Sequence, residues 1–183
     1  MLHLEGQRGL KMDNYKSNFR DRHNLAIATM YLDKDENLGG IIRSANAAAV
    51  KEVVIVGRRR FVQTGITSAK PHTNIIRMPT IEEFFTYCDS QRYNLCSLEI
   101  GEGATNIFEF QYPQNPLIVI GNEGRGVPEE VLKRSKMIYI PQYGQVECLN
   151  AAMSATIAMF DWVKKNSSLN QARIEHHKFI PNL

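Results

Sequence analysis

Cysteine is scarce in this chain: three among 183 residues, Cys88, Cys96 and Cys148, an odd number without any Cys-x-x-Cys pair. That argues against a disulfide framework or a zinc site, so no metal is expected and a reducing cytoplasm is the expected compartment. Long apolar runs are missing too. Nothing approaches the ~20 residues that span a bilayer, and the N-terminus has no apolar segment of the secretory kind, so no membrane partner is expected. Charge of one sign is in short supply: 22 Lys and Arg against 19 Asp and Glu leave a formal net charge of +3, too mild to point to nucleic acid by itself. There is no internal repeat and no linker that would divide the chain. The length fits one domain with a sizeable core.

The distribution of charge says more than its sum. Lys11, Lys16, Arg20 and Arg22 crowd the N-terminal segment, Arg58, Arg59 and Arg60 form a run, and Lys70 and His72 follow. Such clusters on a balanced protein are either footprints for a phosphate backbone or solvated surface, and both readings stand. Residues 1–23 are polar and form an extension. A regular pattern begins at Asn24 and runs to 165, and residues 166–183 are a polar tail in which Phe179 and Ile180 offer a docking point.

Within the regular part, Leu25–Leu32 reads as a buried strand. Asp35, Glu36 and Asn37 supply acidic and capping groups for a helix in which Ile41, Ala45, Ala48 and Ala49 recur at helical spacing. Val53–Val56, Ile75–Met78, Asn94–Ile100, Leu117–Gly121 and Met137–Ile140 read as further strands, and Arg58–His72 as a polar loop or broken helix. Pro79–Thr80 opens a helix over Ile81–Tyr87, and Pro128 suits the first turn of another, with Glu129 and Glu130 at its positive end. Leu149, Met153, Thr156, Ile157 and Phe160 make a helical stripe expected to be core or interface. Strands alternating with helices predict an α/β fold, a parallel sheet flanked by helices.

Two stretches stand out, Ile120-Gly-Asn-Glu-Gly-Arg-Gly126 and Ile138-Tyr-Ile-Pro-Gln-Tyr-Gly-Gln-Val-Glu-Cys-Leu-Asn150. Each runs from an apolar strand into a glycine-bearing polar loop and then a helix. Two such loops at the carboxyl ends of neighbouring parallel strands make a pocket lined by backbone amides and carbonyls, where open α/β sheets bind ligands. A third segment, Asn37–Val50, adds a polar Asn and a lone Arg at the start of an apolar helix. An oxidoreductase is disfavoured: the glycine loop lies late and lacks a G-x-G-x-x-G with a downstream ribose-binding acid.

With these three segments the chain resembles the SpoU (TrmH-type) family of the SPOUT superfamily, RNA ribose 2′-O-methyltransferases that use S-adenosyl-L-methionine. The first motif resembles Asn37-Leu-Gly-Gly-Ile-Ile-Arg43-Ser-Ala45, the second Ile120–Gly126, and the third Ile140-Pro-Gln-Tyr-Gly144 followed by Cys148-Leu-Asn150. Order and spacing match, from roughly Asn24 to Trp162. The resemblance implies a C-terminal deep trefoil knot, an exception to ordinary topology rules, and a homodimer packed through the knot helices with the active site near that interface. It implies RNA as the partner, tRNA or rRNA. Many relatives carry a separate N-terminal RNA-binding domain, and its replacement here by some 23 residues favours tRNA.

The resemblance also distributes roles. Arg43, Asn37, Glu123, Asn150 and Cys148 become the catalytic candidates. Backbone groups near Leu98, Gly121, Ile140 and Leu149 become the cofactor contacts. Gly144 is expected to let the second loop approach the ligand or adopt positive φ, and Gly121, Gly124 and Gly126 are expected to do so in the first. Arg125, Arg58, Arg59, Arg60 and Lys70 are the candidates for RNA contact. For Arg43 three readings remain open: the base that activates the hydroxyl, a phosphate or alkoxide clamp, or a structural partner of Glu123. A guanidinium is effectively always protonated, which favours the clamp. Asn37 is a helix cap, an orienting group, or both. Cys148 stands where the family usually has Ser, and a thiol is the poorer hydrogen-bond group. This departure keeps a second reading open, a knotted RNA-binding protein with weak or no catalysis.

Overall fold

The computed structural model describes residues 22–57, 73–146 and 148–167. In chain order the elements are β1 (Ala26–Met30), α1 (Asp35–Ala47), β2 (Glu52–Val56), β3 (Ile75–Met78), α2 (Ile81–Gln91), β4 (Asn94–Leu98), β5 (Thr105–Asn106), β6 (Pro116–Ile120), α3 (Glu129–Leu132), β7 (Lys136–Tyr139) and α4 (Ala151–Asn166). The strands form one sheet in the order β3-β2-β1-β6-β4-β7-β5, and every pairing is parallel.

The largely apolar character of β1, β2 and β6, broken only by Thr29 and Glu52, follows from burial of both sheet faces. Side chains alternate. Leu25, Ile27, Val53, Ile55, Ile118 and Ile120 pack toward α1 and α4, against Leu38, Ile41, Ala155, Ala158, Met159 and Trp162. Ala26, Ala28, Met30, Val54, Val56, Leu117 and Val119 pack on the other side, against Phe84, Cys88 and Val131 of α2 and α3. Burial pushes the thiols of Cys88 and Cys96 up to about 12, which keeps both protonated and inert.

Several boundaries differ from the sequence expectation for local reasons. β1 stops at Tyr31, whose φ is +52°; its ring occupies the space over Gly57, where an added Cβ would collide with it. The Thr80 side chain caps α2 by accepting from the Glu83 amide at 3.2 Å. That helix runs to Gln91 rather than Tyr87, since no residue breaks it before the left-handed cap at Arg92, φ +57°. Pro128 is the N-cap of α3, with ψ 139°, instead of lying in its first turn. β5 is a two-residue edge strand, too short to leave an alternating pattern in sequence.

The stripe expected to be core or interface on the last helix divides: Leu149 and Ile157 are partly buried against the core, and its other apolar members are not. Met153 and Phe160 are exposed at 62% and 46%, and α4 instead buries Ala155, Ala158, Met159 and Trp162. The small residues on that buried face let α1 and α4 approach closely: a Cβ on Gly40 would lie 2.9 Å from that of Ala152, and Ser44 Oγ and Thr156 Oγ1 share a hydrogen bond at 2.7 Å. The C-terminal half of α4 is fixed by Asp161, which accepts from Tyr112 Oη at 3.1 Å and Lys165 Nζ at 2.8 Å. Arg58, Arg59, Arg60, Lys70 and His72 lie outside the described residues, as do Lys11, Lys16, Arg20, Phe179 and Ile180. Arg22 is described and donates to the Val50 carbonyl at 2.7 Å.

Candidate active site

At the carboxyl ends of β1, β6, β4 and β7, the loops that follow the strands enclose a cavity of about 370 Å³. Both late loops contribute, Gly121–Gly124 and Gly126 from the first, Gln142 and Cys148–Asn150 from the second. Leu98, Ile120, Ile140 and Leu149 supply apolar wall, and Lys34, Asn37, Glu99 and Glu123 supply polar wall. Of the cofactor candidates, Leu98, Gly121, Ile140 and Leu149 thus share one lining. Gly144 does not: it lies outside the lining, its φ is not positive, and a Cβ there would meet nothing within 4 Å. The expected need for glycine at that position is therefore corrected, because the second loop is open to solvent there.

The first loop needs two of its glycines. A Cβ on Gly121 would strike the backbone of Gly126 and Val127. Gly126 has φ +68°, and the Glu99 carboxylate packs where its side chain would be. Gly124 meets only Asn122 Oδ1 at 3.7 Å, an ordinary contact. Asn122 organises this turn from within. Its Oδ1 accepts from the amides of Gly124 at 2.9 Å and Arg125 at 3.0 Å, and its Nδ2 donates to the Tyr31 carbonyl at 2.7 Å and to Asp33 at 3.0 Å.

Three of the catalytic candidates form one directed chain. Asn150 is the N-cap of α4, and its Oδ1 accepts from the amides of Ala152 at 2.9 Å and Met153 at 3.3 Å. Its Nδ2 must then face away from the helix, and it donates to Asn37 Oδ1 at 2.8 Å. Asn37 Nδ2 in turn donates to Glu123 Oε1 at 2.6 Å. The direction is imposed from both ends, by helix amides that only donate and a carboxylate that only accepts. Asn37 is accordingly not the cap of α1; the cap position is Lys34, which makes no side-chain cap bond, and Asn37 is buried in the first turn.

Glu123 also accepts from the amides of Asp33 at 3.1 Å and Lys34 at 3.4 Å. Burial by itself would raise its carboxyl. The hydrogen bonds, led by that from the Asp33 amide, outweigh burial and hold it below the usual carboxylate range. The structural pairing of Glu123 with Arg43 is corrected by this arrangement: the carboxylate is committed to Asp33, Lys34 and Asn37. Arg43 is exposed on α1 and outside the cavity lining of its own chain. It lies six residues beyond Asn37, about 240° around the helix, so the two face different ways. Arg125 is likewise exposed and outside the lining. Cys148 is an exposed free thiol in the cavity wall.

Sequence reasoning missed Glu99 and Asn122. Glu99 Oε2 accepts from the Val127 amide at 2.9 Å and Oε1 from the Ile100 amide at 3.1 Å. Its signal was an acid placed directly after an apolar strand, at the ligand-facing end of a parallel sheet. The signal for Asn122 was a single Asn between Gly121 and Glu123, a residue type that bonds its own turn.

The chain matches the SpoU rRNA Methylase family over residues 24–160. It is 28% identical over 162 residues to a candidate TrmH family tRNA/rRNA methyltransferase of Staphylococcus epidermidis, covering 85% of this chain and 65% of that protein. The chain thus spans about 65% of the length of that curated relative. Among solved structures, a tRNA-modifying TrmH/SpoU enzyme of A. aeolicus superimposes with a TM-score of 0.76 at 17% identity, over 86% of this chain and 83% of that one. An AdoMet-bound rRNA methyltransferase of Sinorhizobium meliloti superimposes with a TM-score of 0.69 at 22% identity, over 84% of this chain and 61% of that one. These two likenesses establish a shared fold.

Proposed function

Because this chain belongs to the SpoU rRNA Methylase family, we propose that it is an RNA methyltransferase that uses S-adenosyl-L-methionine to methylate a ribose 2′-hydroxyl, with tRNA as substrate in preference to rRNA. The observation that carries the reading is the directed Asn150–Asn37–Glu123 chain in the wall of a cavity bounded by two late loops. The lining suits the cofactor. Its volume, about 370 Å³, falls within the range of roughly 300–1,000 Å³ typical of small-molecule sites. Leu98, Ile120, Ile140 and Leu149 match the apolar parts of adenosine and the methionine chain, and the Glu123 carboxylate complements the positive charge of the cofactor. When bound, the cofactor supplies an electrophilic methyl group. The chain's own task is to hold the accepting hydroxyl in line and to stabilise the charge that develops on it.

Arg43 enters through a homodimer. Met153 and Phe160 leave an apolar face exposed on α4, next to the helix that carries Arg43. Two copies joined through α1 and α4 would cover that face and bring each Arg43 to the cavity of the other protomer. There its permanent charge acts as a clamp on phosphate or nascent alkoxide. The proposed topology includes the deep trefoil knot: residues 141–146 and 148–150 lie between β7 and α4 alongside the 121–126 loop, and in this reading the segment passes through it.

The test is calorimetry with S-adenosylhomocysteine, then methyl transfer to tRNA and rRNA with mass-spectrometric mapping of the product nucleotide. Arg43→Ala is expected to lower kcat by about 10²–10³ with cofactor affinity unchanged within about twofold. Undiminished turnover by that variant overturns the clamp. Cofactor binding without transfer to any RNA favours the second reading, a catalytically weak knotted RNA-binding protein, which the Cys148 thiol in the cavity wall supports.

A further inference from the structure

Two carboxylates line the cavity, and they differ in how much of their accepting capacity the protein uses. An ionised carboxylate offers about four acceptor positions. Glu123 accepts hydrogen bonds from three protein donors, the amides of Asp33 and Lys34 and the side chain of Asn37. Glu99 accepts only from the backbone amides of Val127 and Ile100, one on each oxygen. No cation among the described residues pairs with it. One position on each oxygen is left over, on a group that is half-buried and lines the cavity.

The surroundings fix this carboxylate in place. Its backbone amide bonds to the Ile138 carbonyl at 3.0 Å, continuing the β4–β7 ladder past the end of β4. The carboxylate itself packs onto Gly126, whose missing side chain makes the room. Glu99 is thus held between two cavity walls, β4 on one side and the first glycine loop on the other. A flexible surface acid would be positioned by the ligand; this one is positioned beforehand.

Two adjacent acceptor positions on a fixed anion match two adjacent hydroxyl donors. We propose that Glu99 binds the vicinal diol of an adenosine ribose, accepting from its 2′- and 3′-hydroxyls, and so selects a ribonucleoside cofactor at this cavity. The inference rests on the reading of the cavity as the S-adenosyl-L-methionine site. Glu99 serves here as a binding group for the cofactor's sugar, remote from the reacting methyl.

Calorimetry on the whole chain tests it with S-adenosylhomocysteine and its 2′-deoxy and 3′-deoxy analogues, against wild type and Glu99→Gln. The wild type is expected to lose roughly tenfold to hundredfold in affinity for each hydroxyl removed, the range for a hydrogen bond to a charged group. Glu99→Gln is expected to bind the parent ligand that much more weakly and to bind parent and deoxy ligands within about threefold of each other. A role confined to bracing the loop would weaken all three ligands alike and keep the wild-type ratio between them; that result overturns the inference. Should the variant fail to fold, the wild-type series decides alone, since equal affinity for parent and deoxy ligands also overturns it. Absence of any S-adenosylhomocysteine binding by the wild type would instead overturn the cofactor reading beneath it.

Discussion

The directed chain at the cavity edge makes a quantitative claim about Asn150. This one amide caps α4 and holds Asn37, so replacing it removes two contributions of different size. Loss of an N-cap costs about 1 kcal/mol. Removal of the Nδ2 donor strands the Oδ1 of buried Asn37, a further 1–3 kcal/mol or so. Asn150→Ala is therefore expected to destabilise by about 2–4 kcal/mol. Asn150→Asp separates the terms. An aspartate still accepts from the α4 amides and sits well at the positive end of a helix, so the cap survives. It has no donor for Asn37, and if Asn37 turns to donate to it, the Asn37 oxygen faces the Glu123 carboxylate. That variant should lose only the second contribution, about 1–3 kcal/mol, and remain more stable than the alanine variant. Urea unfolding at pH 7 followed by tryptophan fluorescence measures all three proteins on one scale, Trp162 being buried on α4. An alanine variant within about 0.5 kcal/mol of wild type, the range of an uninvolved surface site, would refute the reasoning.

Glu123 gives a pH prediction. Its folded-state carboxyl lies below its unfolded value, so its contribution is fully present above the unfolded value, about 4.3, and is lost as pH falls through the lower folded one. The stability gap between wild type and Glu123→Gln, from urea midpoints, should hold steady from pH 7 to about 5 and narrow below about 4; a constant gap down to pH 2 would contradict it. The α1–α4 contact gives a swap. Gly40→Ala gains helix propensity of about 1 kcal/mol but forces a methyl to within 2.9 Å of Ala152 Cβ, with an overpacking cost of about 1–3 kcal/mol. The single variant should be neutral to destabilised by about 2 kcal/mol, the sum of those terms. Adding Ala152→Gly restores the space, and a negative coupling energy in the double-mutant cycle is the expected signature.

Much of the sheet was legible because burial on both faces leaves continuous apolar runs, as in Val53–Val56 and Leu117–Gly121. The lining residues Leu98, Gly121, Ile140 and Leu149 were legible only through the ordered motifs, since as isolated residues they look like core. What escaped was whatever depends on partners distant in sequence. The role of Asn37 looked like a cap because Asn is a good capping residue; its real partners are 86 and 113 positions away. Glu99 had only its place after an apolar strand to mark it, because its use depends on the amide of Val127, 28 residues on. The stripe of Met153 and Phe160 had the right period and the wrong side: periodicity counts apolar residues, whereas the close approach of α1 selects the small ones. Gly144 was assigned a need that only a crowded loop creates.

The link between Asn150 and Asn37 spans 113 positions, and α4 is the final described helix. A chain emerging from the ribosome therefore carries Asn37 long before the residue that orients it. Until Asn150 and the helix behind it have been synthesised and seated, Asn37 lacks its orienting donor and the cavity lacks a wall. Premature termination anywhere before α4 would leave Asn37 without that donor and the cavity open on that side.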